Sequence, residues 1–160
     1  MIDRVSTAAV EEAGPVVESV RLRLVLVGPL RVALSIAVFI AARAAGSESA
    51  PALLSYGFGA LIIVFLLFND PRARFSRSSE PLPLPANARV APAWLHAAHA
   101  LLPSTVGVSA LAGVALIGWP TLAALLAGIL AGLGIAAFIS VFRVDPALYV
   151  DTRSGVVFRK

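Results

Sequence analysis

The chain has 160 residues, of which 59% are hydrophobic and only 14% charged, and its mean hydropathy is +0.89. Soluble domains carry charge on about a quarter of their residues, so this composition excludes an ordinary water-soluble globule and indicates one compact integral membrane unit. The absence of cysteine removes disulfides, thiolate metal sites and cysteine nucleophiles together, and arginine supplies 12 of the 13 basic residues, a bias expected of GC-rich bacterial coding.

Residues 1–23 read as a cytoplasmic or interfacial amino-terminal segment. Asp3, Glu11, Glu12 and Glu18 precede the apolar run, unlike the short basic region that opens a secretory signal, so the segment is expected to stay attached. Residues 24–68 make a first transmembrane hairpin, with spans over 24–42 and 51–68. The first span is interrupted by Gly28, Pro29 and Arg31. In a second frame, 16–27 is an interfacial helix that turns inward at Gly28 and Pro29, and the span is 30–45. Arg31 and Arg43 then snorkel towards opposite surfaces, which favours that frame. Ala33, Ala37, Ala41 and Ala45 form a small-residue stripe at four-residue spacing.

Residues 69–92 form an Arg- and Pro-rich cytoplasmic loop. Pro81, Pro83 and Pro85 alternate, as in an extended polyproline segment. Arg72, Arg74 and Arg77 flank Phe75 and are candidates for contact with anionic lipid headgroups, although setting topology is sufficient reason for them.

Residues 93–142 combine an interfacial helix with a second transmembrane hairpin, its spans at 101–118 and 121–142. The latter gives 22 consecutive residues without a charge, reaching about 33 Å at about 1.5 Å per residue, enough to cross a hydrocarbon core about 30 Å thick. Gly118, Trp119 and Pro120 would close the hairpin at the outer interface. His96 and His99 share a helix face just before the third span. With no cysteine in the chain and no acid nearby to orient the rings, headgroup-level residues are the simpler reading than metal or haem ligands, and no cofactor is expected.

Within the last span, "GLGIAA" at 132–137 fits the glycine pattern of a dinucleotide-binding turn. That pattern works where a strand ends in a turn and a helix begins, with an acid about 20 residues later. Here it sits in the middle of an apolar span. Close packing is the better account: Ala124, Gly128, Gly132, Ala136 and Ser140 recur every fourth residue and let a neighbouring helix backbone approach, within the chain or from another protomer. On this reading Gly132 is intolerant of a large side chain and Gly134, about 200° around the helix, is milder.

Residues 143–160 form a cytoplasmic tail. Leu148–Asp151 and residues 156–159 have strand-like composition around a turn ending at Gly155, a short hairpin that would need something to dock against; a disordered tail is the alternative.

Eleven basic residues flank one side of these spans and only Arg43 the other, which places both termini in the cytoplasm and the chain in the cell inner (plasma) membrane. The fold expected is therefore an all-α, four-transmembrane-helix bundle with a possible carboxyl-terminal β-hairpin. Arg31 is the only ionisable residue inside a span, which argues against a carboxylate proton relay. The function expected is that of a non-catalytic subunit or scaffold held by small-residue helix packing. Its partners would be membrane lipids and further copies or other membrane subunits, not nucleic acid. The alternative is a small oligomeric channel or carrier, followed by a lipid-modifying enzyme.

Overall fold

A computed structural model of the chain describes residues 14–69, 81–101 and 104–160. Strand β1 (Val16–Ser19) leads directly into helix α1 (Val20–Ala44), followed by α2 (Ser49–Asn69). Two-residue strands β2 (Leu82–Pro83) and β3 (Arg89–Val90) precede α3 (Ala93–Leu101), α4 (Ser104–Gly118) and α5 (Pro120–Val141). The chain closes with β4 (Leu148–Asp151) and β5 (Val157–Arg159).

Three helices, α1, α2 and α5, are long and apolar enough to cross a membrane. Helix α4 has 15 residues, a rise of about 22 Å, and is shorter than the span expected over 101–118. It begins at Ser104, whereas the expected span opens at Leu101, which belongs to α3.

Helix α5 is the axis of the bundle. Of its most apolar window 56% is buried, against 17% for α1 and 11% for α2. It packs along both of them and, less extensively, along α4. The α1–α2 and α4–α5 turns lie together at one end, where Ala42, Ala52, Ala115, Ala123 and Ala124 form a core of small side chains under Phe39, Leu116 and Leu126. Gly46, at φ +100°, makes the first of these turns in a conformation that other residues adopt only with strain. Pro120 opens α5 behind Trp119, where its missing N–H costs nothing.

At the opposite end the chain is not all-α. A five-stranded sheet runs β2-β5-β4-β1-β3, joining the amino-terminal segment, the central connection and the tail. Strand β1 pairs antiparallel with β4 and parallel with β3, and β5 pairs antiparallel with β4 and parallel with β2. The expected hairpin is present as β4 and β5, and it docks on segments of the same chain. Asp151 builds its turn: the Ser154 hydroxyl donates to Oδ2 at 2.5 Å and the Arg153 N–H to Oδ1 at 3.1 Å, with Gly155 at φ +71°. Arg159 closes the tail on Asp145 at 3.0 Å.

Two further expectations are corrected. Residues 16–27 are not one interfacial helix: Val16 and Val17, β-branched and behind Pro15, lie in a strand, Val16 paired with Arg89 and Val17 paired on both sides, and the helix starts only after Ser19, whose hydroxyl accepts from the Leu22 N–H. The chain does not turn at Gly28 and Pro29; α1 continues through them, and there Gly28 is pressed against Gly134 and Phe138 of α5. Nor is the proline-rich run a free polyproline segment, because Leu82 and Pro83 pair with β5 as a sheet edge, where a missing donor is harmless.

Candidate functional site

The polar chemistry of the described residues concentrates where α1 leaves the sheet. Glu18 is almost fully buried although it carries a carboxylate, and Arg23 Nη1 stands 3.9 Å from its Oε2. Glu18 and Val150 are paired neighbours on β1 and β4, so both side chains point to one face of the sheet. With Arg23, Val27 and Arg31 of α1 and Ala137 of α5 they line a cavity of about 200 Å³. Arg23, Val27 and Arg31 follow one another every fourth residue, which keeps them on one helix face.

Arg31 also reaches α4. Its Nε donates to Thr105 Oγ1 at 2.8 Å and its Nη2 to Ser104 Oγ at 3.2 Å, so the only basic residue well inside a long helix is held by two hydroxyls. Sequence reasoning marked Arg31 as isolated and missed these partners, which lie 73 and 74 residues away. An apolar groove of about 650 Å³ runs beside them, between Leu30 and Leu34 of α1 and Val106 and Ala110 of α4.

His96 is fully buried. Its Nε2 accepts from the Ser19 N–H at 3.0 Å, and its Nδ1 lies 3.0 Å from the Pro92 carbonyl oxygen. These partners assign the neutral Nδ1–H tautomer, with both nitrogens occupied. The ring joins α3 to the start of α1 and is not at a headgroup surface. The side chain of His99 lies outside what is described, as do Arg72, Arg74 and Arg77, the residues expected to contact lipid. Among the described residues no group of three His, Cys, Asp or Glu could hold a metal ion.

The stripe on α5 divides by position. A Cβ at Gly132 would lie 2.7 Å from the Ala60 carbonyl oxygen, and one at Gly128 would overlap the Tyr56 carbonyl, so both glycines face α2 of the same chain. Ala124 is in the small-residue core, Ala136 is buried, and the Ser140 hydroxyl donates to the Ala136 carbonyl at 2.7 Å. Gly134 faces α1, and a Cβ there would lie 2.8 Å from the Gly28 carbonyl oxygen. The milder response expected at Gly134 therefore does not hold. On α1, by contrast, Ala33, Ala37 and Ala45 point outward. The "GLGIAA" run is helix interior throughout, so its N–H groups serve the helix ladder and are not available to a phosphate.

The fold thus defines a helical chain with three helices fit to cross a membrane and a small sheet at one end. No family model matches it, and comparison with curated proteins and with solved structures finds no match.

Proposed function

We propose that the chain is a four-span, non-catalytic subunit or scaffold of an assembly in the cell inner membrane, with the sheet and both termini in the cytoplasm. The observation that supports this reading is the sheet itself. Three segments far apart in sequence are knitted into one platform seated on the bundle, which offers a partner a fixed surface outside the lipid.

Charge supports the orientation. Arg21, Arg23, Arg89, Arg143, Arg153, Arg159 and Lys160 belong to the sheet end, whereas Arg43 stands at the turn end, bonded to the Ser47 carbonyl and, at 2.6 Å, to Ser49 Oγ. Trp119 is outward-facing at the turn end and Trp94 near the sheet, as two interfacial belts require. On this reading helix α4, short by itself, makes the fourth crossing together with α3.

The test is single-cysteine labelling in intact and opened cells, combined with sizing of the detergent-extracted complex. Glu48→Cys should label from outside; Ser79→Cys and a cysteine after Lys160 should label only once the membrane is opened. Ser47 is a poor reporter because it is buried against Thr121. External labelling at Ser79 overturns the orientation, and a symmetric homo-oligomer with a hydrated axis replaces the scaffold by the channel.

A further inference from the structure

We propose that the cavity between Glu18, Arg23 and Arg31 binds a phosphate group, carried by an anionic phospholipid headgroup or present as a free phosphate. Among the described residues two guanidinium groups, those of Arg23 and Arg31, and one carboxylate, that of Glu18, line this space. Arg31 is held on the α4 side by the hydroxyls of Ser104 and Thr105, which orient its guanidinium. The planar fork of arginine donors matches phosphate oxygens better than any other common side chain does.

The shape agrees with such a ligand. Arg23 and Arg31 are eight residues apart on one helix face, a rise of about 12 Å, so the space runs along α1 from the sheet into the bundle. A cavity of about 200 Å³ is much larger than the share of one water molecule, about 30 Å³. Val27, Ala137 and Val150 supply apolar wall beside the charges, suited to the methylene groups next to a phosphate ester. Glu18 is the opposing element. Its separation of 3.9 Å from Arg23 is at the outer limit of an ion pair, so an incoming phosphate competes with the carboxylate for that guanidinium.

This competition gives a test of sign. Full-length protein in neutral detergent is titrated with phosphatidylglycerol, with diacylglycerol or with inorganic phosphate at constant ionic strength, and apparent affinity is read from the rise in unfolding temperature. Stabilisation by phosphatidylglycerol alone assigns a lipid headgroup; stabilisation by inorganic phosphate assigns a free phosphate; diacylglycerol should do nothing. Arg23→Gln should weaken the apparent affinity by about threefold to tenfold, and Glu18→Gln should strengthen it by a similar factor. A merely structural role for the pair would move both variants in the same direction. The proposal is overturned if neither phosphate probe stabilises the protein, if diacylglycerol works equally well, or if the two single variants shift together. If Arg23→Gln does not fold, Glu18→Gln decides alone, and an unchanged or weakened affinity there is equally fatal.

Discussion

The N–H of Ser19 donates to Nε2 of His96 at 3.0 Å, joining the residue that caps α1 to a ring on α3 77 positions later. The same ring is held from its other side by the Pro92 carbonyl. His96→Leu preserves the bulk but leaves a partly buried N–H without its acceptor, an effect of about 1–3 kcal/mol. Unfolding of the variant in detergent should show that loss, and ring nitrogen shifts of the wild type should report the Nδ1–H tautomer. An Nε2–H ring would refute the assignment.

Glycine substitutions along the bundle should separate by contact and not by sequence motif. Gly128→Leu, Gly132→Leu and Gly134→Leu each drive a side chain into a facing backbone and should cost at least about 1–3 kcal/mol, the usual cost of overpacking. Gly113→Ala meets nothing within 4 Å and should stabilise α4 by about 0.5–1 kcal/mol. The comparison needs only melting temperatures. Tolerance at Gly134 with loss at Gly132 would contradict the two-sided packing of α5.

The difference between Gly132 and Gly134 also marks how far the sequence could be read. Four-residue spacing reveals that α5 has a close-packed face, because one helix sets that periodicity. Which helix covers each face depends on partners far along the chain, and no local pattern encodes them. The β4–β5 hairpin was legible for the same local reason, through β-branched strands around Asp151 and Gly155. Its docking on Val16–Ser19 was not, since a four-residue strand next to a long apolar run reads as the start of the helix. The cavity was hidden likewise: Arg31 stood out as a charge in a span, but Glu18 joins the same cavity lining only once β1 has formed.

The tail should respond to acid. The Asp151 carboxyl is held below the usual carboxylate range, chiefly by the Ser154 hydroxyl and then by the Arg153 and Ser154 N–H groups and the Arg153 charge, with slight burial opposing them. A lowered folded pKa means that the charged form favours the folded hairpin. This contribution is complete above the ordinary Asp pKa of about 3.9 and is lost as pH falls through the lower folded value. Amide exchange in β4 and β5, corrected for the intrinsic rate at each pH, should accelerate below about pH 4 in the wild type. Asp151→Asn should be looser at neutral pH and should lack that acid step; an identical acid profile in the variant would place the step elsewhere.

Arg31 supplies side-chain hydrogen bonds between α1 and α4, two helices that otherwise touch sparingly, because α4 packs mainly on α5. Hydrogen bonds from charged donors contribute about 1.5–3 kcal/mol, so losing the pair should be measurable even in a bundle held largely by α5. Arg31→Lys is the informative change. It keeps the charge but replaces a planar fork by a single ammonium, which cannot reproduce the Nε and Nη2 directions towards Thr105 and Ser104 together. The variant should therefore lose stability, and amide exchange over residues 106–110 should accelerate while α5 stays protected. A double-mutant cycle with Thr105→Val isolates the contact from any general effect of altering a half-buried cation. The coupling should be about 1 kcal/mol, well above the 0.3–0.5 kcal/mol scatter of independent sites. Additive losses would mean that the guanidinium and the hydroxyl do not interact, and the anchoring of α4 would then rest on its packing against α5 alone.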